Sequence, residues 1–167
     1  MNDAKYLKFE DPQAAAILLE WWQGQDKNRG ERAALRRCRS LTEVVFVPSF
    51  HGLLRELSQC SSVNAEGLAL VAGLVSHVKS NSPGLGIAEQ MAKPRKLGGS
   101  AALSGLRFRR LLKVQTREDL YAALVRVVAL LGGTVNLMSL AKSAYEWNDW
   151  TRKQWAFDYY STAPTEA

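Results

Sequence analysis

The chain has 167 residues, of which 47% are hydrophobic and 23% charged, and its formal net charge is +6, which suits one ordinary globular domain or two small ones. Its longest apolar runs, such as VVALL at 127–131, fall far short of the ~20 residues that span a bilayer, and the N-terminal stretch MNDAKYLKFEDP lacks the apolar core of a secretory signal. We therefore expect a cytoplasmic protein with no membrane partner.

Helix start and stop signals recur along the chain. N-cap residues precede runs with apolar residues at helical spacing at these places: Asp11, Ser40, Asn64, Thr116, and Asn148 or Asp149. Ser40 and Glu43 have capping-box spacing, Pro48 is expected to begin a helix, and Gly132-Gly133 to end one. The only β-branched run that suggests a strand, EVVFV, is short and has no partner strand. We therefore predict an all-α fold.

A segment rich in proline, glycine and serine divides the chain. Over residues 81–104 at most one short helix fits, around IAEQMAK. We therefore predict an N-terminal helical bundle over residues 1–80, a basic linker over 81–104, and a C-terminal helical bundle over 105–167.

Catalytic and metal-binding motifs are absent from the sequence. There is no GxxxxGK[ST], HExxH or GxSxG, and the acids are scattered over predicted helix surfaces. Neither Cys38 and Cys60 nor His51 and His77 show ligand spacing, so we expect two buried thiols and no metal site. We therefore expect no enzymatic activity and no cofactor.

Positive charge is concentrated in two segments. Residues 27–39 carry a balance of +5, residues 93–117 carry +8 with no acid, and the remaining 129 residues carry −7. Scattered charge rarely produces such a pattern. A polyanionic partner explains it economically.

The second basic segment contains a predicted amphipathic helix over residues 105–117. One side of this helix is apolar, with Phe108 and Leu111. The other side carries a ridge of cations: Arg107, Arg109, Arg110, Lys113 and Arg117. Cations three or four positions apart on a helix repel one another, and no acid on the ridge offsets this. The usual explanation of a charge run is a solvated helix face. Here the ridge has no acid and consists mostly of arginine, which binds phosphate bidentately. Both features favour an external phosphate as the ligand.

Other basic residues point to the same kind of ligand. Arg36 and Arg37 belong to the first segment, where the signal is weaker because KNRGER can be a solvated loop. Arg126 interrupts the apolar helix YAALVRVVALL, so it needs either a buried acid or a phosphate that reaches a groove between helices. The five tryptophans are better explained by core packing or a protein interface than by base stacking.

Several stretches follow one another in a recognisable order: LLEWWQ, LRRCRSLTEVVFVPSFHGLL, a glycine-rich linker, LRFRRLLKVQTREDLYAALVRVVALL, and two tryptophan-bearing C-terminal helices. In this order they resemble the CasB family, the small subunit of the type I-E CRISPR surveillance complex called Cascade. The resemblance covers nearly the whole chain, but the linker at 80–100 departs from the family pattern in length and composition.

The resemblance implies two helical bundles without enzymatic activity. It also implies these partners: the backbone and large subunits of Cascade, CRISPR guide RNA, target DNA and a second copy of the chain. A basic surface would hold the displaced non-target DNA strand and stabilise the R-loop. Carried over residue by residue, this role falls on Arg36, Arg37, Arg107, Lys113 and Arg126. The assignment of Arg109, Arg110 and Arg117 depends on the charge argument alone.

Two other functions remain open on the residues. A free-standing helical DNA-binding regulator would read the major groove with one basic helix, but the chain lacks tight helix-turn-helix spacing, and the ridge has no Asn or Gln to read adenine. An assembly adaptor would instead pair its cations with acidic protein surfaces.

Overall fold

The computed structural model describes residues 5–165, and over this range the chain is mostly helical. Ten helices and two very short strands follow one another: α1 (Pro12–Gly24), α2 (Arg29–Arg37), α3 (Leu41–Val45), α4 (Pro48–Ser58), α5 (Ala65–Val75), β1 (Ser80–Asn81), α6 (Ile87–Ala92), α7 (Gly105–Leu112), α8 (Arg117–Leu130), β2 (Thr134–Val135), α9 (Leu137–Tyr145) and α10 (Asp149–Thr162). The predicted all-α fold is confirmed. The run EVVFV lies in α3 and the turn after it.

Most helix ends lie where the sequence predicts them. Side-chain oxygens accept hydrogen bonds from N–H groups of the first turn at four predicted N-caps: Asp11, Asn64, Thr116 and Asn148. Ser40 Oγ likewise accepts from the Glu43 N–H at 3.2 Å, but the Glu43 carboxylate accepts from the Arg39 N–H rather than from Ser40. Gly132 and Gly133 follow α8 with φ of 72° and 78°, a conformation that glycine adopts without steric cost.

Helix α5 lies at the centre of the packing. Every residue from Gly67 to Val75 is buried, because this helix packs against α3, α8 and α9 and also contacts α2 and α4. Helix α1 packs on α4, and α6 packs on α10. The buried apolar side chains of both halves of the chain form one cluster.

The segment predicted as a linker, 81–104, contains the single short helix expected there, α6. Ile87 and Met91 on this helix are buried, and β1 pairs in parallel with β2. The segment therefore packs against the C-terminal half of the chain. The division into bundles at 1–80 and 105–167 stays a prediction, and residues 1–4 and 166–167 of those bundles lie outside the described range.

The single helix predicted over 105–117 is wrong, because two helices meet there. Helix α7 ends at Leu112, and Thr116 caps α8 by accepting from the Asp119 N–H at 3.2 Å. In between, the Val114 carbonyl accepts from the indole N–H of Trp147 at 2.9 Å. The cap at Thr116 and the contact with Trp147 outweigh the continuous charge pattern, so the cations do not form one ridge.

The tryptophans mostly serve packing, as the sequence predicts. Four of them donate their indole N–H to an oxygen of another segment: Trp21, Trp22, Trp147 and Trp155. Trp150 is 65% exposed. The prediction of two buried thiols holds for Cys38 and is wrong for Cys60, which is exposed just beyond the end of α4.

Between residues 5 and 165, no helix combines the length and the apolar character that crossing a membrane requires.

Candidate nucleic-acid interface

Three of the predicted cations line one groove between α7 and α8. Arg107 and Arg110 come from successive turns of α7 and Arg126 comes from α8, around a volume of about 650 Å³. Ser104 caps α7 by accepting from the Arg107 N–H at 3.3 Å. Phe108 is fully buried on the opposite side of α7, so the packing of this helix turns both arginines toward solvent.

The floor of this groove is apolar. The other residues that line it have aliphatic side chains: Leu103, Leu111, Ala123, Val127, Ala129 and Leu130. Three of them, Leu103, Leu111 and Val127, keep only 5% of their surface exposed because they also belong to the core. The core therefore fixes the shape of the floor.

The groove carries uncompensated positive charge. No acid lines it, and within residues 5–165 none of its three arginines forms an ion pair. Of the two partners predicted for Arg126, a buried acid is therefore not found among the described residues, and the side chain lies exposed in the groove. Three neighbouring guanidinium groups repel one another, and a phosphate would relieve that repulsion through charge-assisted hydrogen bonds.

Arg109 lies on another side of α7. It lines a separate cavity of about 580 Å³ together with Tyr160 and the Gly98–Gly99 turn. Tyr159, the neighbour of Tyr160 on α10, stacks on Phe108 with ring centroids 3.9 Å apart. This stacking fixes α10 against α7 and separates Arg109 from the groove that holds Arg107 and Arg110.

Lys113 and Arg117 do not line the groove either. Lys113 is the C-cap residue of α7 and is exposed. Arg117 is the first residue of α8, and its Nη1 lies 3.6 Å from Glu66 Oε2, with both side chains largely exposed. Exposed pairs of this kind contribute little to stability, so Arg117 remains available to another anion.

The first basic segment is partly structural. The Arg32 guanidinium pairs with Asp26 and donates to the backbone carbonyls of Ser76 and Val78, while Arg36 Nε donates to the Ser76 carbonyl at 2.8 Å. Ser76 is the C-cap of α5, where unpaired carbonyls and the helix dipole both favour cations. Arg32 and Arg36 therefore hold α2 against the end of the central helix.

Arg36 and Arg37 also line a cavity of about 600 Å³ that Arg29 and Asp26 share. Burial lowers the pKa of Arg36, and the neighbouring charge of Arg32 lowers this pKa further. The guanidinium nevertheless stays protonated at neutral pH. With Arg32 this cavity has four arginines and one acid, a balance of +3 that equals the balance of the groove between α7 and α8. The two sites differ because Arg32 in this cavity is already paired with Asp26.

The sequence patterns do not predict two features of these surfaces, the apolar floor of the groove and the pairing of Asp26 with Arg32. The apolar floor uses residues that helical periodicity assigns to the core, and only the packing of α7 against α8 exposes their edges. Asp26 stands one residue before the first basic segment, six positions from its partner Arg32. The position of Asp26 next to the first basic segment is the one signal in the sequence that some of these arginines have an internal partner.

The described residues, 5–165, contain no group of three or more His, Cys, Asp or Glu side chains that could hold a metal ion. The chemistry that the surface does offer is the binding of anions by arginine. Fold and surface together define an all-α protein with basic grooves suited to a polyanion.

A comparison with protein-family models matches residues 31–160 to the family described as CRISPR-associated protein Cse2. The match covers more than half of the chain, so the chain belongs to the Cse2 family, and the resemblance to CasB seen in the sequence is confirmed. No curated protein sequence matches the chain.

Two solved structures have a similar fold. A chain in the crystal structure of E. coli Cascade bound to a PAM-containing dsDNA target is 18% identical, with a TM-score of 0.67 over 89% of this chain and 94% of that one. CasB from Thermus thermophilus is 23% identical, with a TM-score of 0.66 over 89% of this chain and 97% of that one. At these identities the likeness carries the fold alone.

Proposed function

We propose that this protein is the non-catalytic small subunit of a type I-E CRISPR surveillance complex, Cascade. Membership of the Cse2 family supports this assignment, and so does the likeness of the fold to a chain in E. coli Cascade. Its partners are then the backbone and large subunits of the complex, the guide RNA, the target DNA and a second copy of this chain. Such a complex works in the cytoplasm.

Within that complex, the protein binds nucleic-acid backbone without sequence preference and holds the displaced DNA strand. The observation that carries this role is the meeting of Arg107, Arg110 and Arg126 in one groove without an acid. Phosphate contacts position a nucleic acid but do not read its sequence. Formation of an R-loop exchanges one duplex for another at nearly equal free energy, so a surface that binds the freed strand favours the open state.

The test is binding of the full-length protein to several unrelated single-stranded DNAs over a range of salt concentrations. A strand that contacts the three arginines releases counterions, and each lost contact reduces the slope of log K against log salt by ~0.7. We expect equal affinity for every sequence. The Arg107→Ala/Arg110→Ala/Arg126→Ala variant should bind more weakly, with a slope shallower by about two units.

A charge-matched variant separates a local contact from a general effect of net charge. Lys8→Ala/Arg55→Ala/Lys153→Ala removes three exposed cations that lie outside both basic segments. Its salt slope should stay close to that of the unaltered protein. Equal loss in both triple variants would contradict a defined strand site.

The assay also distinguishes the alternative functions. Strong preference for one sequence would favour a free-standing regulator that reads bases. Absence of binding at low salt, together with failure of the groove variant to assemble with the other subunits, would favour an adaptor whose cations pair with acidic protein surfaces.

A further inference from the structure

The groove between α7 and α8 has a more apolar lining than phosphate binding requires. A site for phosphates alone needs cations at the surface, as on the outer side of α2. Here six aliphatic residues, three of them buried, line the same recess of about 650 Å³ as the three arginines. Apolar recesses of ~300–1,000 Å³ with a few polar groups at the rim are typical of sites for small organic molecules.

We propose that this groove takes one unpaired nucleotide of a bound strand, with its base against the apolar floor and its phosphates on the arginine rim. The inference depends on the proposed function, since it concerns the same groove. A nucleotide combines the two chemistries that the groove offers, because its base has apolar faces and its phosphates are anionic. The base would lie between the Leu103 and Leu111 side of the groove and the guanidinium of Arg126, which can stack on it.

The floor then determines that single strands bind better than duplexes. In a duplex the bases are paired and stacked, so only the phosphates reach the arginines. In a single strand a base can turn out of the stack and bury its face. The identity of the base matters little, since every base has such a face and the floor has no hydrogen-bonding side chain below the arginines.

The test fills the floor without changing any charge. Ala123 is half-buried and lines the groove on the same face of α8 as Arg126 and Val127, so Ala123→Leu occupies the space that the base would use. We expect binding of an oligothymidine strand to weaken about tenfold, within the range for one stacked base. Affinity for a duplex of equal length and the salt slope for the single strand should change little.

Ala16→Leu is the matched control, because Ala16 is an exposed alanine within α1 and lies outside the groove. It should leave the affinities for both DNAs unchanged. Loss of single-strand affinity in both leucine variants would overturn the assignment to the floor. Far-ultraviolet circular dichroism and urea titration of each variant would detect any loss of folding.

An oligonucleotide with abasic sites gives a second, independent readout on the unaltered protein. It keeps the phosphates and sugars but lacks the bases. We expect it to bind about tenfold more weakly than oligothymidine, and we expect this difference to disappear in Ala123→Leu. Equal binding of the two strands by the unaltered protein would overturn the nucleotide site and leave the backbone-holding function intact. Failure of the unaltered protein to bind either strand at low salt would overturn the proposed role in holding the displaced strand, and with it the nucleotide site.

Discussion

Gly73 lies within α5, where the backbone of the central helix approaches side chains of two other helices. A Cβ at this position would lie 2.8 Å from Tyr121 Cε2 and 3.2 Å from Val44 Cγ2. The Tyr121 ring cannot easily move, because its hydroxyl donates to the Cys38 carbonyl at 2.7 Å. A glycine inside the helix therefore allows this close packing, at the usual cost in helix propensity.

We predict that Gly73→Ala lowers the free energy of unfolding by about 1 kcal/mol, as the cost of overpacking exceeds the gain in helix propensity. Gly52→Ala is the matched control, since nothing lies within 4 Å of a Cβ at that position of α4. This control should raise the free energy of unfolding by up to ~1 kcal/mol. Urea titration of both variants measures the difference. If Gly73→Ala instead raised the free energy of unfolding, the Tyr121 ring would have to move aside for the added methyl group at little cost.

Tyr121 itself makes stability depend on pH in the alkaline range. Burial raises its pKa to about 12, whereas an unfolded tyrosine ionises near pH ~10. Between these values the unfolded chain releases a proton that the folded chain keeps. The contribution of Tyr121 to stability is therefore complete below the unfolded pKa and is lost as the pH rises toward the folded one.

We predict that the urea midpoint falls more steeply between pH ~10 and ~12 in the unaltered protein than in Tyr121→Phe. At neutral pH the variant should be less stable by ~1–2 kcal/mol, because the Cys38 carbonyl loses a buried partner. Midpoints measured at neutral pH and across the alkaline range check both statements. Parallel midpoint curves for the two proteins would show that another group governs the alkaline loss.

At the scale of elements, two arginines attach α2 to the end of α5, and Arg32 makes more of the contacts than Arg36. The Arg32 side chain is only 14% exposed, and it bonds to Asp26 and to carbonyls at the end of α5. Arg29 belongs to the same helix but is exposed. Arg32 therefore has a structural role, whereas Arg29 is free to bind an external anion.

We predict that Arg32→Ala lowers the free energy of unfolding by ~2 kcal/mol, since the hydrogen bonds that the charged guanidinium donates to the Ser76 and Val78 carbonyls are lost. The two carbonyls keep one donor each, Arg36 and Trp22, so no further cost from unpaired carbonyls is expected. Arg29→Ala should change stability by less than ~0.5 kcal/mol. Thermal and urea unfolding measure both. If Arg32→Ala proved as stable as the unaltered protein, the contacts with Ser76 and Val78 would not hold α2 in place.

The sequence predicts the elements well where the deciding interaction is local. The caps at Asn64 and Thr116 and the glycines after α8 act within a few residues, so their patterns suffice. The break between α7 and α8 has a local signal, Thr116, that competes with a continuous run of charge. The groove depends on how α7 packs against α8, and no local pattern predicts which of Arg107, Arg109 and Arg110 share a side of the packed helix with Arg126.

At the scale of the whole molecule, its cooperativity depends on contacts that cross the predicted boundary. Helix α5 belongs to the N-terminal half in sequence, yet it packs against α8 and α9 of the C-terminal half. The Asn64 N–H donates to the Tyr145 hydroxyl at 3.0 Å, and the Leu41 N–H donates to Glu118 Oε1 at 2.9 Å. Unfolding of the C-terminal half would expose the apolar surface of α5, and unfolding of the N-terminal half would remove α5 from its contacts with α8 and α9.

We therefore predict a single unfolding transition for the full-length protein. Hydrogen exchange measures the free energy of the opening that exposes each amide. For the slowest amides of α5 and of α9, this free energy and its slope against urea concentration should be equal, because both sets exchange through global unfolding. Two independent bundles would instead give one maximum free energy of opening for the amides of residues 5–80 and a different one for those of 105–165. That outcome would support the division at the glycine-rich segment, and it would allow the groove between α7 and α8 to form in the C-terminal half alone.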